Sequence, residues 1–214
     1  MKVLGLIPAR GGSKRLPRKN LAQIGGRSLV AIAIDAAREA GLDTIAVSTD
    51  DNEIASEANR RGALFWTRPS YLATDTTPSL DVLTYHLGTD LDAWDLVVLL
   101  QPTSPFRSAA DIRNALAILD AAGGDAVISI TDAQADCVYQ VGHAGRLRAV
   151  RELPGLVVPN GAIYAITTLA LAEGRDWWSG VTYGYRMPRS RSLDIDTAED
   201  LATANRLWEI GHGN

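Results

Sequence analysis

The segment from Lys2 to Leu21, KVLGLIPARGGSKRLPRKNL, contains the two features on which the fold prediction depends. Residues 2–9 form an apolar run typical of a buried strand. The loop that follows has two adjacent glycines, no acid, and five cations: Arg10, Lys14, Arg15, Arg18 and Lys19. A glycine-rich turn after a first strand lets backbone N–H groups approach phosphates. The loop therefore predicts an anion site, with a solvated basic loop as the alternative.

Strand-like and helix-like segments alternate behind this first strand. The predicted strands are 44–50, 63–68, 95–102 and 125–131, and the predicted helices are 28–41, 51–62, 76–88 and 108–123. Ser28 and Thr77 are expected N-caps, and Gly41 is an expected helix stop. The alternation predicts an α/β fold with an open, doubly wound, mostly parallel, Rossmann-like sheet.

Ligands on such sheets bind at the carboxyl ends of the strands. This rule places four loops along one edge of the predicted sheet, at residues 9–20, 48–51, 68–75 and 101–107. The pattern changes after about residue 133. A hairpin is predicted over 137–150, strands over 160–167 and 182–188, and an amphipathic helix over 197–211. We expect one domain over 1–214, with a lid or dimerisation excursion around 134–190.

Composition narrows the classes of partner. The formal net charge is −4, whereas proteins that bind nucleic acid by neutralising phosphates are usually basic, so a small anionic ligand is favoured over a polymer. The apolar runs are too short to span a membrane, and no signal peptide is evident. The one cysteine, Cys137, excludes an intrachain disulfide, and we expect a cytoplasmic protein.

Asp194 and Asp196 stand two residues apart in SLDIDTAEDL. On an extended segment both carboxylates face one side while Ile195 faces the core. Two carboxylates on one face suit Mg²⁺, which also takes phosphate oxygens and water. The alternative is helix capping, which explains Thr197 and Asp200 as a capping box but does not require Asp194 or Asp196.

Other side chains give weaker signals. Gln101 follows an apolar strand in a loop held by two prolines, and Arg107 is expected either to bind a carboxylate or to cap the next helix. Trp177 and Trp178 are adjacent, so on an extended segment one faces the core and the other is free to stack on a sugar or a second subunit. The histidines, His86, His143 and His212, form no metal-like set.

Five motifs occur in a familiar order: IPARGGSKRLPRKNL, RPSYLATDTTPSLDVL, LLQPTSPFR, NGAIYA and RSLDIDTAEDL. With them, most of the chain resembles the acylneuraminate cytidylyltransferase family, the CMP-sialic acid synthetases and their relatives for other nonulosonic acids. The CMP-Kdo synthetases resemble it less, because their first loop differs. The resemblance implies a homodimeric enzyme in which the anomeric hydroxyl of a sugar acid attacks the α-phosphate of CTP, with Mg²⁺ assisting the departure of pyrophosphate.

The resemblance also implies residue roles. Arg10, Lys19, Asp194 and Asp196 would be catalytic, and the two aspartates would hold the metal. The implied nucleotide-binding residues are Ala9, Arg10, Gly12, Ser13, Lys19, Asn20, Arg68 and Ser79. The implied substrate-binding residues are Gln101, Arg107, Asn160, Tyr164, Trp177 and Trp178, with the two tryptophans donated across the dimer.

Two regions depart from the family pattern, TDAQADCVYQ and RELPGLVVP, and both shape the sugar pocket in the family. Arg151 loosely replaces a basic residue in the second region. The alternatives are therefore a nucleotidyltransferase that uses GTP or UTP, or one that uses another acid such as Kdo. A non-catalytic nucleotide-binding protein is disfavoured because Lys19 and the acid pair are retained.

Overall fold

The computed structural model describes residues 1–88, 91–133, 138–141, 147–150 and 156–211. The strands are β1 (Val3–Pro8), β2 (Gln23–Ile24), β3 (Arg27–Ser28), β4 (Thr44–Thr49), β5 (Leu64–Thr67), β6 (Leu96–Leu99), β7 (Ala126–Asp132), β8 (Val138–Val141), β9 (Leu147–Val150), β10 (Val157–Thr167) and β11 (Thr182–Arg186). The helices are α1 (Leu29–Ala40), α2 (Asn52–Arg60), α3 (Ser79–Leu87), α4 (Ala109–Ala122), α5 (Thr168–Ala172) and α6 (Ala198–Glu209).

Seven strands form the main sheet in the order β11-β7-β10-β6-β1-β4-β5. β1 pairs in parallel with β4 and β6, β4 with β5, and β7 with β11. β10 runs antiparallel to both of its neighbours, β6 and β7. The predicted mostly parallel α/β sheet is therefore confirmed, with β10 as the one reversed strand among these seven.

Side chains of β1 explain why helices cover both faces of the sheet. Val3 and Ile7 pack in a cluster with α1, α2 and α4, whereas Leu4 and Leu6 pack in another cluster with α3 and α5. β6 is buried along its whole length, as expected for a central strand covered on both faces. The exits of β1, β4, β5 and β6 therefore lie along one edge, because these strands are parallel.

The helix boundaries follow local capping chemistry. The Ser28 side chain accepts a hydrogen bond from the Ala31 N–H at the start of α1, and Gly41 ends this helix with a φ of 83°. The prediction of Thr77 as the cap of α3 is wrong, because Pro78 occupies the N-cap position and makes no side-chain cap. The Thr77 hydroxyl instead lies 2.6 Å from that of Thr74.

The region after residue 133 divides into two parts. β8 and β9 pair as an antiparallel hairpin in a separate two-stranded sheet. β10 and β11 instead join the main sheet, so of the described strands in the predicted 134–190 excursion only β8 and β9 stand outside it. Cys137, His143, Arg151 and His212 lie outside the described residues. No helix in the described part of the chain is long and apolar enough to cross a bilayer.

Candidate active site

The basic loop leaves β1 and folds back on itself. The buried Asn20 side chain closes it, since the Nδ2 amide donates a hydrogen bond of 2.8 Å to the Arg10 carbonyl oxygen. This bond brings Arg10 and Lys19, from the two ends of the loop, to the mouth of one cleft. Ser13 lines the same cleft between them.

Two carboxylates from distant loops hold the cations of this loop. Asp75 lies 2.5 Å from the Arg10 guanidinium and 2.7 Å from the Lys14 ammonium. Asp196 lies 2.8 Å from the Lys19 ammonium and 2.9 Å from the Arg15 guanidinium. The fifth cation, Arg18, is not in the cleft and pairs with Glu53 on the exposed surface. Four cations of the basic loop therefore line the cleft, and sequence reasoning singled out two of these four, Arg10 and Lys19.

The acid pair faces this cleft from the segment before α6. Ile195 is fully buried and its N–H donates to the Thr103 carbonyl oxygen, so the flanking carboxylates of Asp194 and Asp196 both project into the cleft. Burial raises the pKa of Asp194, and a hydrogen bond from Thr103 lowers it in part. The hydrogen bond from Lys19 lowers the pKa of Asp196 below its usual value.

The donor set is compatible with Mg²⁺. Asp194 has no ion-pair partner among the described residues, and burial removes water from its carboxylate, so the group is available to a cation. No group of three or more metal-ligating side chains occurs in the described part of the chain. Mg²⁺ accepts one or two carboxylates and completes its shell with phosphate oxygens and water, so two aspartates suffice.

A buried hydrogen-bond chain orients Arg68 at the inner wall of the cleft. The Arg68 guanidinium donates from Nε to the Ser48 hydroxyl over 3.0 Å and from Nη2 to the Ser48 carbonyl oxygen over 2.9 Å. The Ser48 hydroxyl lies 2.7 Å from Nε2 of His86. Burial lowers the pKa of Arg68 to about 10, which leaves it charged at neutral pH. Sequence reasoning missed Ser48 and His86, although 48–51 was placed at this edge.

A second cleft of about 440 Å³ adjoins the first, and Ser79 and Gln101 line both. Its aromatic wall consists of Tyr164 from β10 and the tryptophans that precede β11. Tyr164 and Trp177 meet nearly edge to face, with ring centroids 5.5 Å apart. Trp177 is buried and Trp178 is 64% exposed, so the two differ in burial as predicted, although they lie in a turn and not on an extended segment. Both tryptophans line the cleft of their own chain, and their donation to a partner subunit stays a prediction.

Gly161 allows β10 to approach Gln101 closely. Its φ of 80° lies in the left-handed region, and a Cβ at this position would come within 3.1 Å of the Gln101 Oε1 atom. A register shift in β10 between Pro159 and Tyr164 accompanies this conformation. The glycine in NGAIY is therefore required by backbone geometry and by the side chain opposite.

Arg107 and Asn160 line neither cleft, so the structure does not bring them together with the other predicted substrate-binding residues. Arg107 is buried, and its Nη1 donates to the carbonyl oxygens of Gln101 and Ala162 over 3.1 and 2.8 Å. It also does not cap α4, because Ser108 does. The Asn160 Oδ1 accepts a bond of 2.5 Å from Ser129, and its Nδ2 donates to Ser192 and Met187. Both side chains position the backbone around the clefts.

Ala9 and Gly12, both predicted to bind the nucleotide, have different surroundings in the loop. The Ala9 side chain is buried, and its N–H donates to the Ser48 carbonyl oxygen over 2.9 Å, so this N–H is not available to a phosphate. Gly12 lies near the turn of the loop, and a Cβ there would meet nothing within 4 Å. Close approach within the chain therefore does not explain this glycine.

Sequence comparison agrees with the resemblance. A family model described as cytidylyltransferase matches residues 4–149. The chain is 35% identical to a CMP-N,N'-diacetyllegionaminic acid synthase of Legionella pneumophila, over 98% of this chain and 97% of the relative. It is 33% identical to an N-acylneuraminate cytidylyltransferase of Streptococcus agalactiae, over 99% of this chain and 53% of the relative. The chain thus spans nearly all of the first relative and about half of the second.

Structural comparison supports the fold. A solved CMP:2-keto-3-deoxy-manno-octonic acid synthetase, complexed with CTP, superimposes with a TM-score of 0.74. The match covers 98% of this chain and 99% of the solved chain, at 18% sequence identity. At this identity the likeness concerns the fold alone.

Proposed function

Because this chain belongs to the cytidylyltransferase family, we propose that it transfers CMP from CTP to the anomeric hydroxyl of a nonulosonic sugar acid and releases pyrophosphate. The observation that carries the proposal is the junction of two unlike clefts. A cleft rich in cations and carboxylates adjoins an aromatic one through Ser79 and Gln101. The first suits a triphosphate and the second suits a sugar.

The basic cleft provides charge where the reaction develops it. Phosphoryl transfer depends on positioning and on stabilising charge, more than on covalent help from the protein. As the sugar hydroxyl attacks the α-phosphorus, the bond to the β-phosphate breaks and negative charge grows on pyrophosphate. Arg10 and Lys19 would neutralise that charge from the two ends of the loop. Asn20, Arg68 and Ser79 would hold the nucleoside beside them.

Asp194 and Asp196 are the residues that we propose to hold Mg²⁺. When bound, Mg²⁺ would supply positive charge for phosphate oxygens and for the attacking hydroxyl. Lys19 keeps Asp196 ionised, and the segment 194–196 is fixed by the buried Ile195. The chain therefore presents both carboxylates in a defined orientation, which is its own contribution to metal binding.

The aromatic cleft supports a sugar as the acceptor. Tyr164, Trp177 and Trp178 offer ring surface, and Gln101 offers an amide that hydrogen-bonds hydroxyl groups. The described residues that line this cleft include Asp81 and Asp176 but no cation. The carboxylate of an acid acceptor would then need a cation from elsewhere, and Arg151, which sequence reasoning suggested, lies outside the described residues.

We also propose a homodimer in the cytoplasm. Exposed apolar side chains before and in β10, at Leu156 and Val158, support a subunit contact. A cytoplasmic location is supported by the single cysteine and by a nucleoside triphosphate substrate.

A panel that measures pyrophosphate release tests the proposal, with ATP, CTP, GTP and UTP each combined with sialic, legionaminic, pseudaminic and Kdo acids. We expect release with CTP and a nonulosonic acid in the presence of Mg²⁺. Equal or faster turnover with GTP or UTP would contradict the base assignment, and a preference for Kdo would contradict the acceptor. No turnover, combined with tight CTP binding, would indicate a non-catalytic protein.

Single substitutions test the residue assignments in the same assay. We expect Arg10→Ala and Asp196→Ala to lose about 10²-fold or more in kcat/KM, as for other groups that stabilise transition-state charge. Arg18→Ala is the matched control, because Arg18 belongs to the same loop but pairs with Glu53 outside the cleft. Normal pyrophosphate release by Asp196→Ala at limiting Mg²⁺ would show that the metal assignment is wrong.

A further inference from the structure

Asp75 connects the loop after β5 to the basic loop after β1. Its Oδ1 lies 2.5 Å from Nη2 of Arg10, and its Oδ2 lies 2.7 Å from Nζ of Lys14. Arg10 also donates from Nη1 to the Ala73 carbonyl oxygen over 3.4 Å. One short segment, 73–75, thus supplies three oxygen acceptors to two cations of the cleft.

Folding stability does not account for this arrangement. The side chains are 38% exposed at Asp75, 25% at Arg10 and 86% at Lys14. Ion pairs this exposed contribute little to stability, because water and salt screen them. The Lys14 and Arg10 hydrogen bonds lower the pKa of Asp75, so it is ionised at neutral pH. The carboxylate therefore acts as a fixed negative charge at the mouth of an anion site.

We propose that Asp75 is a positioning residue that occupies Arg10 and Lys14 in place of a polyphosphate, and that it competes with pyrophosphate for them. This inference rests on the proposed function, in which Arg10 binds phosphate. A polyphosphate that enters the cleft must displace Asp75 from these two cations. Breaking these two ion pairs costs free energy. This cost lowers the affinity of the cleft for every polyphosphate ligand, including released pyrophosphate.

Competition by Asp75 would also affect turnover. CTP makes further contacts through its base and ribose, so it can overcome the competition, whereas pyrophosphate has only its phosphate contacts. The returning carboxylate would restore Arg10 and Lys14 to their paired state and shorten the residence of the product. Product release limits the turnover of many enzymes, so this competition would bear on kcat.

The test compares Asp75→Asn with a matched variant, Glu53→Gln. Each removes one negative charge that pairs with an arginine of the same loop, but Glu53 holds Arg18, which does not line the cleft. Binding of inorganic pyrophosphate, with Mg²⁺ present, is measured on the full chain by calorimetry. Product inhibition by pyrophosphate is measured in the forward reaction.

We expect Asp75→Asn to bind pyrophosphate about 3- to 10-fold more tightly than the unsubstituted protein, as expected from the loss of two exposed ion pairs. Glu53→Gln should change the affinity less than about twofold, since its charge is outside the cleft. The melting temperatures of all three proteins should agree closely. Unchanged or weaker pyrophosphate binding by Asp75→Asn would overturn the proposal, as would equal tightening in Glu53→Gln.

Arg10→Ala separates this inference from the proposed function. If Arg10→Ala loses pyrophosphate binding while Asp75→Asn behaves like the unsubstituted protein, the phosphate site stands and the competition by Asp75 is wrong. If Arg10→Ala binds pyrophosphate normally, the phosphate site itself is wrong, and the role of Asp75 falls with it.

Discussion

Adjacent tryptophans in the aromatic cleft show how burial separates two residues of the same type. Trp177 is 6% exposed and packs in the core cluster beneath α5, in contact with Tyr164. Trp178 is 64% exposed and lines the cleft without joining that cluster. The first therefore supports the shape of the cleft, and the second is available to a ligand.

Truncation should separate these roles. We expect Trp177→Ala to lower the free energy of unfolding by about 3 to 5 kcal/mol, as for buried aromatic residues. Trp178→Ala should change stability by less than about 0.5 kcal/mol and raise the acceptor KM several-fold, which corresponds to an aromatic contact of about 0.5 to 1.5 kcal/mol. Leu169→Ala, at an exposed position outside the cleft, is the control. An unchanged acceptor KM in Trp178→Ala would contradict a contact with the sugar.

One hydrogen bond connects His86 to Ser48, the residue that orients Arg68. Its Nε2 accepts from the Ser48 hydroxyl when the ring is neutral, since Arg68 already donates to that hydroxyl. Burial, and then the charge of Arg68, lower the pKa of His86 from 6.5 to about 4. Protonation would place a positive ring beside a buried guanidinium.

We expect this pKa to appear in the pH dependence of stability. Between about pH 6.5 and pH 4 the unfolded chain binds a proton at His86 that the folded chain does not. The free energy of unfolding should therefore fall as pH falls through this window, by up to about 1.4 kcal/mol per unit. Urea unfolding of the unsubstituted protein and of His86→Gln, at matched pH values, measures the difference. Parallel profiles for the two proteins would rule out this contribution, because all other titrating groups are common to both.

The N-cap of α6 also holds part of the proposed metal site in place. At the start of α6, Thr197 and Asp200 form a capping box, and the Asp200 carboxylate also accepts from the Asp196 N–H over 3.0 Å. The cap of this helix therefore fixes the backbone of a proposed metal-binding residue. The capping interpretation of Thr197 and Asp200 is confirmed, and it supports the acid pair.

A matched pair of cap variants tests this connection. Thr197→Ala and Ser28→Ala each remove a hydroxyl N-cap, and each should cost about 0.5 to 2 kcal/mol of stability. Only Thr197→Ala should also raise the Mg²⁺ concentration needed for half-maximal pyrophosphate release, because Ser28 caps α1 away from the clefts. Chemical denaturation and Mg²⁺ titrations measure the two effects. The same Mg²⁺ requirement in both variants would show that the cap does not support the acid pair.

At the scale of the whole molecule, the sheet brings together residues that are far apart in the chain. Arg10 and Asp75 are 65 positions apart, and Lys19 and Asp196 are 177 positions apart. The loops after β1 and β5 meet because these strands are parallel and end at the same edge. The segment with Asp196 follows β11, which runs in the same direction. The reversed β10 adds Tyr164 to that edge, so the aromatic cleft forms beside the basic one.

The sequence by itself determined the elements and their order. These elements depend on neighbours within a few positions, so they can be predicted from the sequence. The signals are apolar patterns of period 2 and period 3.6, hydroxyl caps, and glycines that end helices. The same local logic placed the basic loop at a strand exit and put Asp194 and Asp196 on one face of an extended segment. The motifs that resemble a known family added the roles of these residues, which local patterns do not contain.

Tertiary structure alone decided which polar side chains reach the clefts. Arg107 and Asn160 stand in suitable motifs, yet their hydrogen bonds go to backbone and core groups brought close by β6 and β10. The loops that hold Ser48 and Asp75 were placed at the ligand edge, but no local pattern singles out these two side chains or His86. They matter because the fold brings them to Arg10 and Arg68. The direction of β10 also could not be predicted from the sequence, because an apolar strand has the same side-chain pattern in either direction. Three-dimensional packing determines which residues tens of positions apart contact each other, and a local sequence pattern does not contain that information.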